Sequence, residues 1–242
     1  MMNGRILALG LLIGMCCAPA NAQSARTSTI VTISGVQLAL PAVAGFRAPE
    51  GDERLVLNAV RVGVPPQHRM LALFLSEDDL KLFAEGELPR LDRYYVVQIP
   101  KRAEGMVVTI SDFQSVRRSM KDDHSLLMRA HSAGDRDAIK AIDRGGRTLV
   151  DTRLPLRTAE PLALGIVEDS ESAVGVHYLT RERPGDELAP DGRRMLTISI
   201  ATVLRSRLNF LDGACDTRTF DDIVRCRRYM KEWIALLHAA NP

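Results

Sequence analysis

The chain has 242 residues, of which 46% are hydrophobic, enough apolar material for a real core. Its 32 basic and 30 acidic side chains give a net charge of +2, and this balance argues against a dedicated nucleic-acid surface, which carries a clear basic excess.

The first 22 residues read as a secretory leader. Arg5 supplies the positive start, Ile6 to Cys17 form the apolar run, and Ala20-Asn21-Ala22 places small residues where cleavage is read, so the mature chain is expected to begin at Gln23, with Ala22 the last residue removed. The run is about a dozen residues, short of the ~20 that span a bilayer, and no later stretch reaches that length without charges. Cys16 and Cys17 raise a lipoprotein reading, disfavoured because Met15 and Cys16 precede them where a small residue belongs. Loss of the leader removes Arg5 and leaves a near-neutral mature chain that reads as one α+β domain, 23–242, with a charged helical insert around 112–147. Such a leader directs the chain to the periplasm or out of the cell.

Along the mature chain, Thr29 to Ile33 and Val36 to Leu40 are short β-type runs split by Ser34-Gly35, a hairpin signal. From Asp52 to Val62, Leu55, Val56, Ala59 and Val60 have helical spacing, with Gly63 and Pro65-Pro66 as stop signals. Met70 to Leu75 reads as a buried strand. Ser76 is placed to cap a short helix ending near Gly86, with Glu77, Asp78 and Asp79 against the positive end of its dipole. That triplet lacks the alternating ligands and glycine of a calcium loop.

Tyr94 to Pro100 reads as a strand with its two tyrosines on opposite faces, and Met106 to Ile110 as a second one. Ser111 is expected to cap a long helical region with Phe113, Val116, Met120, Leu127 and Met128 as its apolar positions, interrupted by Gly134 and Gly145-Gly146. The charge density from Lys121 to Arg147 suggests helices exposed to solvent. Pro161 to Glu168, Ala173 to Arg181 and Met195 to Leu204 then read as an antiparallel meander, with Arg207 to Leu211 as a fourth strand. From Phe220 to Ala240, Ile223, Cys226, Met230, Trp233 and Leu237 line one helix face that must lie on the sheet. The expected fold is therefore α+β: an antiparallel sheet covered by helices, the last of them long and amphipathic.

Two cysteines remain after cleavage, and an exported pair is expected to bridge Cys215 to Cys226. The competing reading makes Cys226 a small core residue and Cys215 an exposed thiol. Zinc would need paired spacing and histidines that the two positions lack.

The C-terminal strands and helix with Glu232-Trp233-Ile234 and Ala239-Ala240-Asn241, together with Gly35-Val36-Gln37-Leu38, Leu40 to Phe46 and Met70-Leu71-Ala72-Leu73-Phe74, look like those of uncharacterised exported bacterial proteins. The order of elements also loosely resembles Mog1/PsbP-like domains. The resemblance implies helices over an antiparallel sheet and transfers no catalytic residue.

Residues that could carry chemistry each have a plain alternative. His124 and His131 lie seven apart, about 10 Å along a helix, too far to share a metal, and read as a solvated face. His177 reads as a strand residue facing solvent, and no Gly-x-Ser-x-Gly turn accompanies it. Cys215 before a helix start could be an activated thiol, although the bridge removes that role. Arg218, Arg225, Arg227, Arg228 and Lys231 give the last helix a basic surface suited to anionic lipid or an acidic partner, diluted by pairs such as Arg228 with Glu232. Trp233 reads as a core anchor.

The sequence thus assigns no catalytic residue, no cofactor and no metal. It leans away from catalysis, toward an envelope protein that binds a partner protein, a membrane surface or a small ligand. The alternative is an exported hydrolase or thiol-dependent enzyme assembled from distant residues, with His177, Asp212 and Cys215 as its members.

Overall fold

The protein is described as a computed structural model, covering residues 28–61, 64–87, 89–133, 162–181 and 194–242. The leader with its Ala22/Gln23 cleavage point, Gly63, Gly134, Gly145-Gly146 and the charged stretch beyond 133 lie outside these.

The chain opens with β1 (Ser28–Ile33) and β2 (Val36–Pro41), an antiparallel hairpin whose two-residue turn has φ +45° at Ser34 and +82° at Gly35. Positive φ at both positions is the turn that matches strand twist, and Gly35 adopts it without steric cost. After β3 (Phe46–Arg47), a 3-10 turn at Gly51–Leu55 leads into α1 (Val56–Arg61), so the first part of the helical region expected from Asp52 is 3-10 and regular α-helix begins at Val56. β4 (His68–Ser76), α2 (Glu77–Ala84) and β5 (Arg93–Pro100) follow the expected pattern. The Ser76 hydroxyl accepts from the Asp79 backbone N–H and caps α2. Asp79 does more than complement the dipole: its carboxylate is buried, accepts from the Ser76 hydroxyl and takes the backbone N–H of Leu91.

The expected strand at Met106 to Ile110 is not formed. Met106 to Thr109 form a connection without regular structure, and Ile110 already begins α3 (Ile110–Ala133). The cap is Thr109 rather than Ser111: its hydroxyl accepts from the Asp112 N–H while the Asp112 carboxylate accepts from the Thr109 N–H, a reciprocal capping box that starts the helix before the β-branched run can pair. β6 (Leu162–Asp169), β7 (Ala173–Arg181), β8 (Arg194–Leu204) and β9 (Arg207–Asp216) form the antiparallel meander, β9 running five residues beyond the expected Leu211. α4 (Phe220–Ala240) closes the chain.

Seven strands make one antiparallel sheet in the order β3-β4-β5-β9-β8-β7-β6, so the fold is α+β as expected. Residues paired across strands share a face. On one face Leu196, Ile198 and Ile200 of β8, Leu211 and Cys215 of β9, and Tyr95 and Val97 of β5 meet Cys226, Met230, Trp233 and Leu237 of α4. The β1–β2 hairpin joins this layer. The indole N–H of Trp233 donates to the Pro41 carbonyl at 2.9 Å, and the Asn241 side chain binds both the N–H and the carbonyl of Ala39 along the edge of β2. On the other face two apolar clusters lie apart: Val56, Val60 and Leu80 cover Leu73, Leu75 and Val96, while Phe113 and Met120 of α3 cover Val174, Val176, Ala201, Val203 and Phe210.

Gly213 sets how closely α4 approaches. A Cβ there would stand 2.5 Å from the Met230 sulfur and 3.0 Å from the Tyr95 ring. Gly213→Ala is therefore expected to lower stability by about 1–3 kcal/mol through overpacking. Gly105→Ala, which meets nothing within 4 Å, is expected to leave stability within about 0.5 kcal/mol of wild type. Urea unfolding followed by Trp233 fluorescence checks both.

Candidate functional site

The most concentrated polar chemistry lies between the two apolar clusters. Asp212 on β9 is paired with Val96 of one cluster and with Ser199 of β8, which is itself paired with Val176 of the other. Its carboxyl is 1% exposed. Ser199 Oγ donates to Asp212 Oδ1 at 2.5 Å, and the Gln98 amide of β5 donates to Asp212 Oδ2. Gln98 Oε1 lies 3.1 Å from His68 Nδ1 on β4, and the His68 ring stacks on Phe210 at 5.5 Å between centroids. A chain of four buried side chains, His68, Gln98, Asp212 and Ser199, thus crosses four adjacent strands.

Burial is the main force on Asp212 and pushes its pKa up to about 6, while the hydrogen bonds from Ser199 and Gln98 pull against it. Among the described residues no cation contributes to that balance. On the same face, Thr197 on β8 is buried with its hydroxyl unpartnered, beside its cross-strand neighbour Tyr178, whose phenol burial raises to about 12.

His124 of α3 meets Tyr178 edge-on at 5.5 Å and is 3% exposed, with neither ring nitrogen hydrogen-bonded. The expected solvated helix face is therefore corrected at this position. Burial holds the His124 pKa below its ordinary value. α3 is amphipathic, and His124 falls one turn beyond Met120 on the stripe that meets β7 and β8.

The expectation for His177 is corrected in the same way. It is 3% exposed and donates from Nδ1 to the Gly165 carbonyl at 2.9 Å. A β-bulge between Ala163 and Gly165, with φ +129° at Gly165, aims that carbonyl at the ring. His177 belongs to the α4 face, as does Cys215, whereas Asp212 projects from the opposite face, so the sheet separates the three residues of the hydrolase alternative. Cys215 is joined to Cys226 by a disulfide, Cα to Cα 6.4 Å, tying β9 to α4.

The basic surface of α4 is only partly paired. Arg225 bonds Asp222, Arg218 lies 3.4 Å from Asp216, and the Arg228 guanidinium stands over the Tyr229 ring at 5.9 Å. Among the described residues no cluster of three or more His, Cys, Asp or Glu is placed to hold a metal ion.

Gln98, Ser199 and His68 escaped the sequence reading. Two of them had a signal: Gln98 interrupts the apolar run Tyr94 to Ile99, and Ser199 stands between Ile198 and Ile200.

No protein-family model and no curated protein matches the chain. Two solved chains are similar to it in structure. The Ran-binding protein Mog1p of Saccharomyces cerevisiae shows 11% identity over 89% of this chain and 94% of that chain, at a TM-score of 0.38. A mutant of protein Mog1 shows 12% identity over 88% and 94%, also at 0.38. A likeness of this degree carries nothing about activity or partner.

The raised pKa of Asp212 makes its contribution to stability greatest in acid. Folded at about 6 against an ordinary 3.8, it holds a proton the unfolded chain has lost, so its stabilisation is fully present below about pH 3.8 and disappears as pH rises through 6. His124, His177 and His238, all held low by burial, act in the opposite sense and cost stability as pH falls below about 6.5. The comparison that isolates the carboxyl is wild type against Asp212→Asn: between pH 4 and 7 wild type is expected to lose about 2 kcal/mol relative to the variant, each tenfold rise in proton affinity being worth ~1.4 kcal/mol. Urea midpoints across that range check it. The disulfide predicts that neither cysteine reacts with a maleimide in the unfolded chain until reductant is added.

Proposed function

We propose that this chain is an exported, non-enzymatic binding module of the bacterial envelope that docks a protein partner in the periplasm or outside the cell. Export rests on the leader pattern Arg5 to Ala22. The disulfide accords with an oxidising compartment.

The observation that carries the binding reading is the exposed apolar segment that leads into the first residue of α3. Met106, Val107 and Ile110 are 55%, 66% and 44% exposed, yet the segment is held in place at the β8–β9 turn: Arg207 donates to the Met106 carbonyl, and the Val108 N–H donates to the Ser206 carbonyl. A fixed backbone that presents apolar side chains loses little conformational freedom when a partner covers it. The reactive groups point the same way. Asp212, His177 and Cys215 are buried, two on one face and one on the other, with the thiol bound in a disulfide. Among the described residues no helix is long and apolar enough to cross a membrane.

Native mass spectrometry of the protein purified from its own envelope, beside Val107→Asp, tests this reading. A second subunit in wild type, absent from the variant, and an N-terminus at Gln23 are expected. A bare monomer, together with a turnover abolished by substituting Asp212 or His177, would overturn it in favour of an enzyme.

A further inference from the structure

The chain His68–Gln98–Asp212–Ser199 has a property that a set of static hydrogen bonds lacks: its direction can be reversed. With Asp212 ionised, every donor points toward the carboxylate. Ser199 Oγ–H and the Gln98 amide N–H donate to it, which leaves Gln98 Oε1 as acceptor for His68 Nδ1–H. The middle member is an amide whose two ends have nearly the same shape and opposite hydrogen-bonding roles.

We propose that this chain is a proton-linked switch, in which proton uptake by Asp212 turns over the Gln98 amide and moves the His68 ring proton from Nδ1 to Nε2. The proton balance closes simply. Asp212 takes one proton from solvent at Oδ2, and the new O–H donates to Gln98 Oε1. The turned amide then directs its N–H at His68 Nδ1, which gives up its own proton to solvent while Nε2 gains one. Net uptake is a single proton, and each partner in the chain keeps its hydrogen bond in both states.

Three features of the site support this. First, His68, Gln98, Asp212 and Ser199 are all nine-tenths or more buried, so an unpaired member would be costly and the chain must change as a unit. Second, the charged side chains of the helices covering this face, Arg61 of α1, Glu77, Asp78, Asp79 and Lys81 of α2, and Asp112, Arg117, Arg118, Lys121, Asp122 and Asp123 of α3, have no part in the balance at Asp212, nor have the phenols of Tyr94 and Tyr178 or the ring of His124. Ser199, Gln98 and burial set it. Third, His68 stands at the start of β4, next to the turn where the Lys101 N–H donates to the Gln67 carbonyl and Lys101 Nζ to that of Pro66. The chain therefore carries the protonation state of the sheet's centre to a loop at its margin.

Long-range 1H–15N correlation spectra of the histidines in the intact protein read the tautomer directly. At pH 7.5 wild type is expected to show His68 protonated at Nδ1. Asp212→Asn places an N–H donor where the carboxylic acid would have one, and is expected to show Nε2–H at the same pH. Gln98→Leu breaks the chain, so the tautomer in Gln98→Leu and in Gln98→Leu/Asp212→Asn should be the same. An unchanged Nδ1–H in a folded Asp212→Asn, or an effect that persists without Gln98, overturns the proposal. Where Asp212→Asn fails to fold, the Asp212 carboxyl 13C shift of wild type is followed against pH: its transition must coincide with the change at the His68 nitrogens, and separate midpoints overturn the switch.

Discussion

The close approach of α4 to the sheet at Gly213 governs the rest of the structure. With no Cβ at that position, Met230 settles against β9 and the Tyr95 ring, and Trp233 reaches across to the Pro41 carbonyl. That single hydrogen bond links the last helix to the first hairpin, 192 residues apart, and Asn241 extends the linkage by satisfying Ala39 on the edge of β2. A sheet edge otherwise open to another strand is occupied there by the chain's own C-terminus. The disulfide adds a covalent tie between the same two elements, β9 and α4, and constrains a segment whose packing already holds it.

Much of this was legible because the apolar stripe of α4 is continuous. Cys226, Met230, Trp233 and Leu237 recur at helical spacing, and all are buried. The hairpin at Ser34-Gly35 was equally plain, since its turn needs positive φ where glycine stands. The β8–β9 turn at Arg205-Ser206 uses the same kind of backbone without glycine, φ +45° and +60°, which is why propensity alone does not announce it. Met106 to Ile110 misled for a related reason: a run of β character forms no strand because the Thr109–Asp112 capping box commits the chain to helix from Ile110, with Val108 buried and Met106 and Val107 exposed.

The histidines show where pattern reading stops. Alternation distinguishes inside from outside when one face of a sheet meets water. Here both faces of β7, β8 and β9 are covered, so a polar residue within an apolar run is buried whichever way it points. His177 then needs the Gly165 carbonyl, delivered by a bulge with no sequence periodicity, and His124 lies buried on the stripe that an exposed-helix reading leaves to solvent. Asp212, Gln98 and Ser199 are close because three strands align them, and that register becomes visible once the strands are paired.

A carboxyl enclosed by apolar residues costs stability, so its place in the fold calls for a physical reason. Between the two apolar clusters on its face lies a polar strip across β5, β9 and β8, formed by Gln98, Asp212 and Ser199. Filled by aliphatic residues, that strip would accept a shifted pairing with little penalty. With Asp212 at its centre it does not. A one-residue slip of β5 would turn Gln98 onto the α4 face and leave a carboxylate with a single donor, and the same slip of β8 would remove Ser199 as well. The loss of a buried partner costs ~1–3 kcal/mol, and more for a charged group. The polar strip therefore fixes the register of the three central strands by making every neighbouring alignment worse, and the same confinement that enforces this leaves Asp212 able to change its charge with pH.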